Sequence, residues 1–231
     1  MMDPHRKHWN EQQQKLQSAL KQPIGHPEYM ELFLGQHAAL HAADIAGTGE
    51  YSFEEAVWEG LSEAAARCIP ARGEHSIAWV FWHLARIEDV TMNMLLAGTG
   101  QVFNPDWQAR LCVQRSDTGN CMDLQEVEAL SAQVDLRVLR EYRSAVGRRT
   151  REIVQQTDPA RLRQKVDTAR IELVRVSGAV LPEASGLLDY WGGRTLAGLL
   201  LMPPTRHNFL HLNEAARIKQ AARKKNFPLT K

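Results

Sequence analysis

The stretch HSIAWVFWHLARIEDVTMNMLLAG, about residues 75–97, constrains the fold more than any other part of the chain. At 100° per residue, Ile77, Val80, His83, Leu84, Ile87, Val90 and Met94 fall on one continuous stripe, while Arg86, Asp89 and Asn93 gather on the opposite, outward side. A stripe of that length needs partner helices, and the chain supplies them. EYMELFLGQHAALHAADIAG predicts a helix over about 28–45, with Met30, Leu34, His37 and His41 on one face and Phe33, Leu40 and Asp44 beside them. A long helix is expected over about 123–156, with Leu130, Val134, Val138 and Leu139 at core positions, and a last helix from near Pro204 to about 222.

The remaining segments are punctuation and additions. A polar leading helix is expected over about 5–21, set off by Pro23, Gly25 and Pro27, and Gly47 and Gly49 end the second helical pattern. Ser52 and Glu55 have the spacing of a capping box. Between 169 and 202 the pattern is mixed: IELVRV reads as strand-like, and Tyr190-Trp191-Gly192-Gly193 reads as a turn. No sustained strand alternation and no internal repeat is visible. The expectation is an all-α four-helix bundle as one domain over 1–231, core about 28–220, with an extra N-terminal helix and an excursion between the third and fourth bundle helices.

Composition excludes several functions. With 28 basic against 27 acidic residues, no global field recruits nucleic acid or an anionic membrane, and the basic tail over 217–231 reads as a solvated end. Three cysteines, Cys68, Cys112 and Cys121, lack metal-type spacing and argue against a disulfide framework. The start of the chain is polar and no apolar run approaches the ~20 residues of a bilayer span, so a cytoplasmic protein without membrane contact is expected.

The chemistry sits in the histidines. In RHNFLHLNE, His207 and His211 are four apart, about 40° around a helix axis and ~6 Å along it, so both imidazoles can aim at one point. His83, on the inward stripe, completes three histidines and leaves a coordination position for water or substrate. His37 and His41, with Asp44 three further on, repeat the pattern. They are extra ligands, groups that orient the first ligands, acid/base groups in a shared pocket, or polar fittings at a bundle end. Trp79, Trp82, Tyr190 and Trp191 wall a cleft or belong to the core.

HSIAWVFWHLARIEDVTMNMLLAG, followed much later by LLLMPPTRHNFLHLNEAARI, resembles the DinB-like superfamily of bacterial four-helix-bundle proteins. The resemblance implies an up-down-down-up bundle, a homodimer, and a divalent ion, nickel or zinc, held by His83, His207 and His211. Some members resemble transferases or isomerases that use low-molecular-weight thiols such as bacillithiol and mycothiol; no thiol-recognition motif is found in this chain. The expected function is a metal-dependent thiol transferase or hydrolase acting on a small-molecule substrate. Glu214, His37 or His41 would move the proton, and Arg86 and Asp89 would bind a charged group only if they reached the pocket rim. The alternative is a noncatalytic metal-binding stress-response or structural bundle, in which a fourth protein ligand such as Glu214, His37 or His41 closes the site.

Overall fold

The computed structural model describes residues 3–22, 28–46, 51–71 and 73–224. The breaks read at Pro23, Gly25 and Pro27 and at Gly47 and Gly49, and the end of the basic tail, lie outside these residues. Six helices carry the architecture: α1 (Pro4–Ala19), α2 (Glu28–Ala38), α3 (Ile77–Asp89), α4 (Leu124–Gln133), α5 (Leu136–Gln156) and α6 (Asn208–Lys224). The fold is all-α, and no strand forms among the described residues beyond one isolated bridge between Lys165 and Thr195.

Helix α3 is the axis of the structure. It packs on α5 and α6, and every one of its residues from Ile77 to Asp89 is buried. A helix enclosed on all sides has no solvent face, which corrects the placement of Arg86, Asp89 and Asn93 on an outward surface. Arg86 and Asp89 are fully buried and paired with one another. Arg86 Nη1 lies 3.2 Å from Asp89 Oδ2 and donates to Tyr142 Oη at 2.8 Å, and the Tyr142 hydroxyl donates to Asp89 Oδ2 at 2.6 Å. Asp89 also accepts the backbone N–H groups of Val102 and Phe103, both at 2.8 Å, and so fastens the following loop. These two residues do not reach a pocket rim; they are a buried ion pair.

Several helices stop where side chains offer the backbone another partner. The helix read over 123–156 is two: α4 ends at Val134, and Asp135 caps α5 by accepting the Val138 N–H at 2.9 Å. The pattern read over 28–45 breaks after Ala38, and Asp44 turns outward to pair with Arg148 at 3.4 Å. The capping box at Ser52 is half made, with the Ser52 hydroxyl accepting from the Glu55 N–H at 3.1 Å. After Asp89 the helix opens into a π-helical turn, Val90–Ala97, and a second π-helical segment, Met202–His207, leads into α6. Pro203 and Pro204 lie in that second segment, where missing N–H groups suit a widened turn.

The excursion between α5 and α6 is helical too. IELVRV is not a strand but part of the helix Thr168–Val176, and Tyr190 and Trp191 lie inside the helix Gly186–Gly192 rather than in a turn. Asp167 caps the first of these by accepting the Ala169 N–H at 2.9 Å, and Leu173 and Val176 stay exposed, so β-branched content misled where capping decided. These pieces form a second apolar cluster with the segment Val90–Ala97, separate from the α3/α5/α6 core.

Basic side chains terminate several helices by donating to their last carbonyls. Arg67 Nη1 reaches the carbonyls of Ser131 and Val134 at 2.5 and 3.0 Å, Arg170 Nη1 those of Leu95 and Leu96 at 2.9 and 2.8 Å, and Lys219 Nζ that of Ala56 at 2.8 Å. Helix α1 braces the bundle rather than lying apart from it. Trp9 Nε1 donates to the Gln36 carbonyl at 3.3 Å, Gln36 Nε2 returns to the Trp9 carbonyl at 3.0 Å, and Arg206 Nη1 reaches Asn10 Oδ1 at 2.7 Å.

Candidate metal centre

His83 of α3, His207 at the end of the π-helical segment and His211 in the first turn of α6 converge, each offering a ring nitrogen within 4.8 Å of the others. Their ring centroids are 5.0 Å (His83–His207), 5.0 Å (His83–His211) and 4.6 Å (His207–His211) apart, with interplanar angles of 59°, 75° and 67°. Imidazoles sharing an ion at a nitrogen distance of about 2.0–2.1 Å hold centroids about 4.5 Å apart at octahedral angles and about 5.2 Å apart at tetrahedral ones. The observed separations fall within that interval. Steeply inclined planes are also what lets three lone pairs meet at one point.

The hydrogen bonds behind the rings fix which nitrogen faces the centre. His83 Nδ1 lies 2.7 Å from the Thr118 carbonyl, which only accepts, so Nδ1 carries the proton and Nε2 is a free lone pair. His211 Nδ1–H donates to Glu214 Oε2 at 2.7 Å, leaving its Nε2 free as well. Burial and the surrounding hydrogen bonds set the charge states. Burial lowers His83 to about 3 and His207 well below its usual value, and Glu214, though burial opposes it, is held at about 2 by its bonds to His211 and His75. Two neutral imidazoles and one carboxylate behind them are the protonation states a cation requires. His83 Nε2 and His207 Nε2 lie only 3.1 Å apart, a contact satisfied either by one shared proton or by a cation between them.

No fourth ligand joins this group among the described residues. Glu214 spends Oε2 on His211 and Oε1 on His75 Nδ1, 2.8 Å away, so it stands behind a ligand and not in front of one. His207 and His211 each keep an exposed edge, whereas His83 is buried.

His37 and His41 sit elsewhere, fully buried against Glu88 of α3. His37 Nε2 lies 2.9 Å from Glu88 Oε1, His41 Nε2 3.1 Å from Glu88 Oε2, and Asn208 Nδ2 donates to Oε2 at 2.6 Å. Three donors on one carboxylate keep it ionised. Burial alone would raise Glu88, but His41 and His37 hold it well below the usual carboxylate range, while burial lowers His41 to about 3. These donor atoms are also close enough to suggest an ion. The two rings, however, are stacked with centroids 4.1 Å apart and planes 23° from parallel, so one ion cannot lie in both ring planes. The cluster is a hydrogen-bonded clamp: through Asn208 it secures the residue that follows His207. Gly147 leaves room for it, since a Cβ there would stand 2.7 Å from His41 Nδ1. Because that ring is locked, Gly147→Ala is expected to destabilise the fold by about 2 kcal/mol net, an overpacking cost of about 3 less about 1 recovered in helix propensity, read by urea unfolding.

Of the aromatics read as cleft walls, Trp79 meets the site: its ring stacks on His83 with centroids 4.7 Å apart. Trp82 and Trp191 are buried in the two apolar clusters, and Tyr190 packs under Arg194. Sequence reasoning passed over three functional residues, Thr118, Glu88 and His75. His75 alone left a trace, in the spacing His75-Trp79-His83, one residue every turn along a helix face.

A helical bundle that gathers three inward histidines defines the class of protein before any comparison. The family model of the DinB superfamily matches residues 54–181, more than half of the chain, and the chain belongs to that superfamily. No curated protein matches it. The matched span contains His83 but ends before His207 and His211, whose place at the centre rests on the geometry above. No helix among the described residues is long and apolar enough to cross a membrane.

Proposed function

We infer that the chain is a divalent-metal protein that uses the three-histidine centre as a metal-dependent thiol transferase or hydrolase on a small molecule. The observation that carries this reading is the set of three inclined imidazoles, two with Nε2 freed by a fixed Nδ1–H, and no fourth protein donor among the described residues. A closed site would favour a structural ion, and the residues best placed to close it, Glu214, His37 and His41, are all engaged elsewhere.

His83, His207 and His211 would hold the ion; nickel and zinc both suit imidazole, and the family resemblance favours them. When bound, such an ion lowers the pKa of a coordinated water or thiol and so supplies a nucleophile at neutral pH. Thr118 and Glu214 hold His83 and His211 in the ligating tautomer, and Trp79 covers the face of His83 against water. Glu214, with both oxygens bonded to His211 and His75, would hold the ligand set in place, and His37 and His41 would serve the site by clamping Glu88 and, through it, Asn208. A homodimer acting in the cytoplasm accords with the family resemblance.

The test is elemental mass spectrometry on untagged protein beside a His207→Ala, His211→Ala double variant. About one ion per chain in the native protein and a loss of at least ~10-fold in the variant are expected, since two of three ligands are gone. No ion in the native chain after incubation with nickel and zinc sinks the metalloprotein reading.

A further inference from the structure

We propose that His75 is a positioning residue of the metal centre, holding the Glu214 carboxylate in the orientation that fixes His211; this rests on the three-histidine reading above. Glu214 bridges two imidazoles with its two oxygens, His75 Nδ1 at 2.8 Å and His211 Nδ1 at 2.7 Å. Without the first bond, a partly exposed glutamate on α6 is free to rotate into solvent, and the second bond is shared among rotamers.

His75 is itself held in place. It stands one residue before Ser76, which caps α3 by accepting the Trp79 N–H at 2.9 Å, so its backbone is set by the start of the helix that carries His83. Its ring lies flat on Trp79, centroids 3.6 Å apart and planes 5° from parallel, and the other stacking partner of Trp79 is His83. The indole is sandwiched between a ligand and the group that orients another ligand. His75 therefore ties α3 to α6 at the centre: loop, carboxylate and ligand form one line, His75–Glu214–His211. Partners behind metal-bound histidines commonly carry 10–100-fold in affinity.

Two substitutions separate the bond from the stack. His75→Phe keeps a flat ring on Trp79 and removes the donor; His75→Asn keeps an N–H near the Nδ1 position and removes most of the stack. Cobalt is the probe, with affinity by competition titration and the visible spectrum of the loaded protein as the signature of ligand geometry. Thermal unfolding of each metal-free variant serves as the stability control. We expect His75→Phe to bind cobalt about tenfold or more weakly with an altered spectrum, and His75→Asn to stay within about threefold of native with the native spectrum. Native affinity and spectrum in His75→Phe overturn the assignment, as does an equal loss in a folded His75→Asn. If His75→Phe fails to fold, His75→Ala takes its place: it lacks both bond and stack, so a loss relative to His75→Asn reads the bond, and equal affinity in the two overturns the assignment. Native protein that binds no cobalt overturns the three-histidine reading and this one with it, whereas native binding unaffected by either substitution overturns only the role of His75.

Discussion

Replacing Asp89 with alanine is expected to remove about 3–5 kcal/mol of stability, because it strands a buried guanidinium together with several buried donors. Arg86 is fully buried, with its charge facing Asp89 Oδ2 at 3.2 Å and its guanidinium over the Phe103 ring at 4.2 Å. Gln101 Oε1 and the Ser116 carbonyl accept from its Nη2 at 2.5 and 2.6 Å, but neither carries a compensating charge. The same deletion removes the acceptor of the Tyr142 hydroxyl and of the backbone N–H groups of Val102 and Phe103, and one of the two acceptors of the Asn93 amide. Domains are typically stable by only about 5–15 kcal/mol, so the variant should sit near the limit of folding. Urea unfolding measures it, with the exposed Glu128→Ala as a control expected within about 0.5 kcal/mol of native. A loss below about 1 kcal/mol for Asp89→Ala would mean that water reaches Arg86 and that the pair is not desolvated.

The Asp89 cluster also marks where sequence periodicity loses its hold. The stripe from Ile77 to Val90 was legible because apolar residues recur at helical spacing, and it placed His83 inward, as found. The same wheel put Arg86, Asp89 and Asn93 in water, because a wheel ranks faces by polarity and has no term for a polar face covered by Tyr142 and the 101–103 loop. The His207/His211 pair was legible from spacing alone, since four residues fix both direction and rise. Thr118, which orients His83, and His75, which holds Glu214, were not, because a carbonyl in a loop and an imidazole before a helix cap reach their partners only through tertiary packing. A helix end escaped the pattern in the same way: Asp135, which interrupts one long apolar run, caps α5 through a single side-chain hydrogen bond from the Val138 N–H. His37 and His41 were placed on the correct inner face, yet the fate of that face depended on Glu88, a lone carboxylate that nothing in the pattern distinguishes from a solvent-exposed one.

Those buried imidazoles dictate how the metal-free protein should respond to acid. His41 is fully buried, faces Glu88 with His37 stacked on it, and lies in the field of Arg143; burial lowers it to about 3 from 6.5. A base depressed in the folded state stays neutral there while the unfolded chain takes up a proton, so its contribution to stability is complete above about pH 6.5. That contribution is lost as the pH falls from there toward 3. At pH 5 the unfolded chain gains about 1.5 pH units of protonation free energy at His41, about 2 kcal/mol. His83, lowered to the same value by burial, adds a similar loss as long as no cation holds it, and His207, which burial also lowers, acts in the same direction. Glu214, held at about 2, contributes in the same direction only below its unfolded value near 4.5. The metal-free protein should therefore unfold at a temperature at least roughly 10 °C lower at pH 5 than at pH 7, from about 4 kcal/mol for His41 and His83 alone, spread over a chain of this size. Saturation with metal, by excluding protons from His83 and His207, should recover more than half of that difference and leave the part that belongs to His41. A His41→Asn variant should show a shallower acid slope than native whether metal is present or not. An unfolding temperature unchanged between pH 7 and pH 5 would mean that these imidazoles meet water in the folded state, and that the clamp around Glu88 is open rather than sealed.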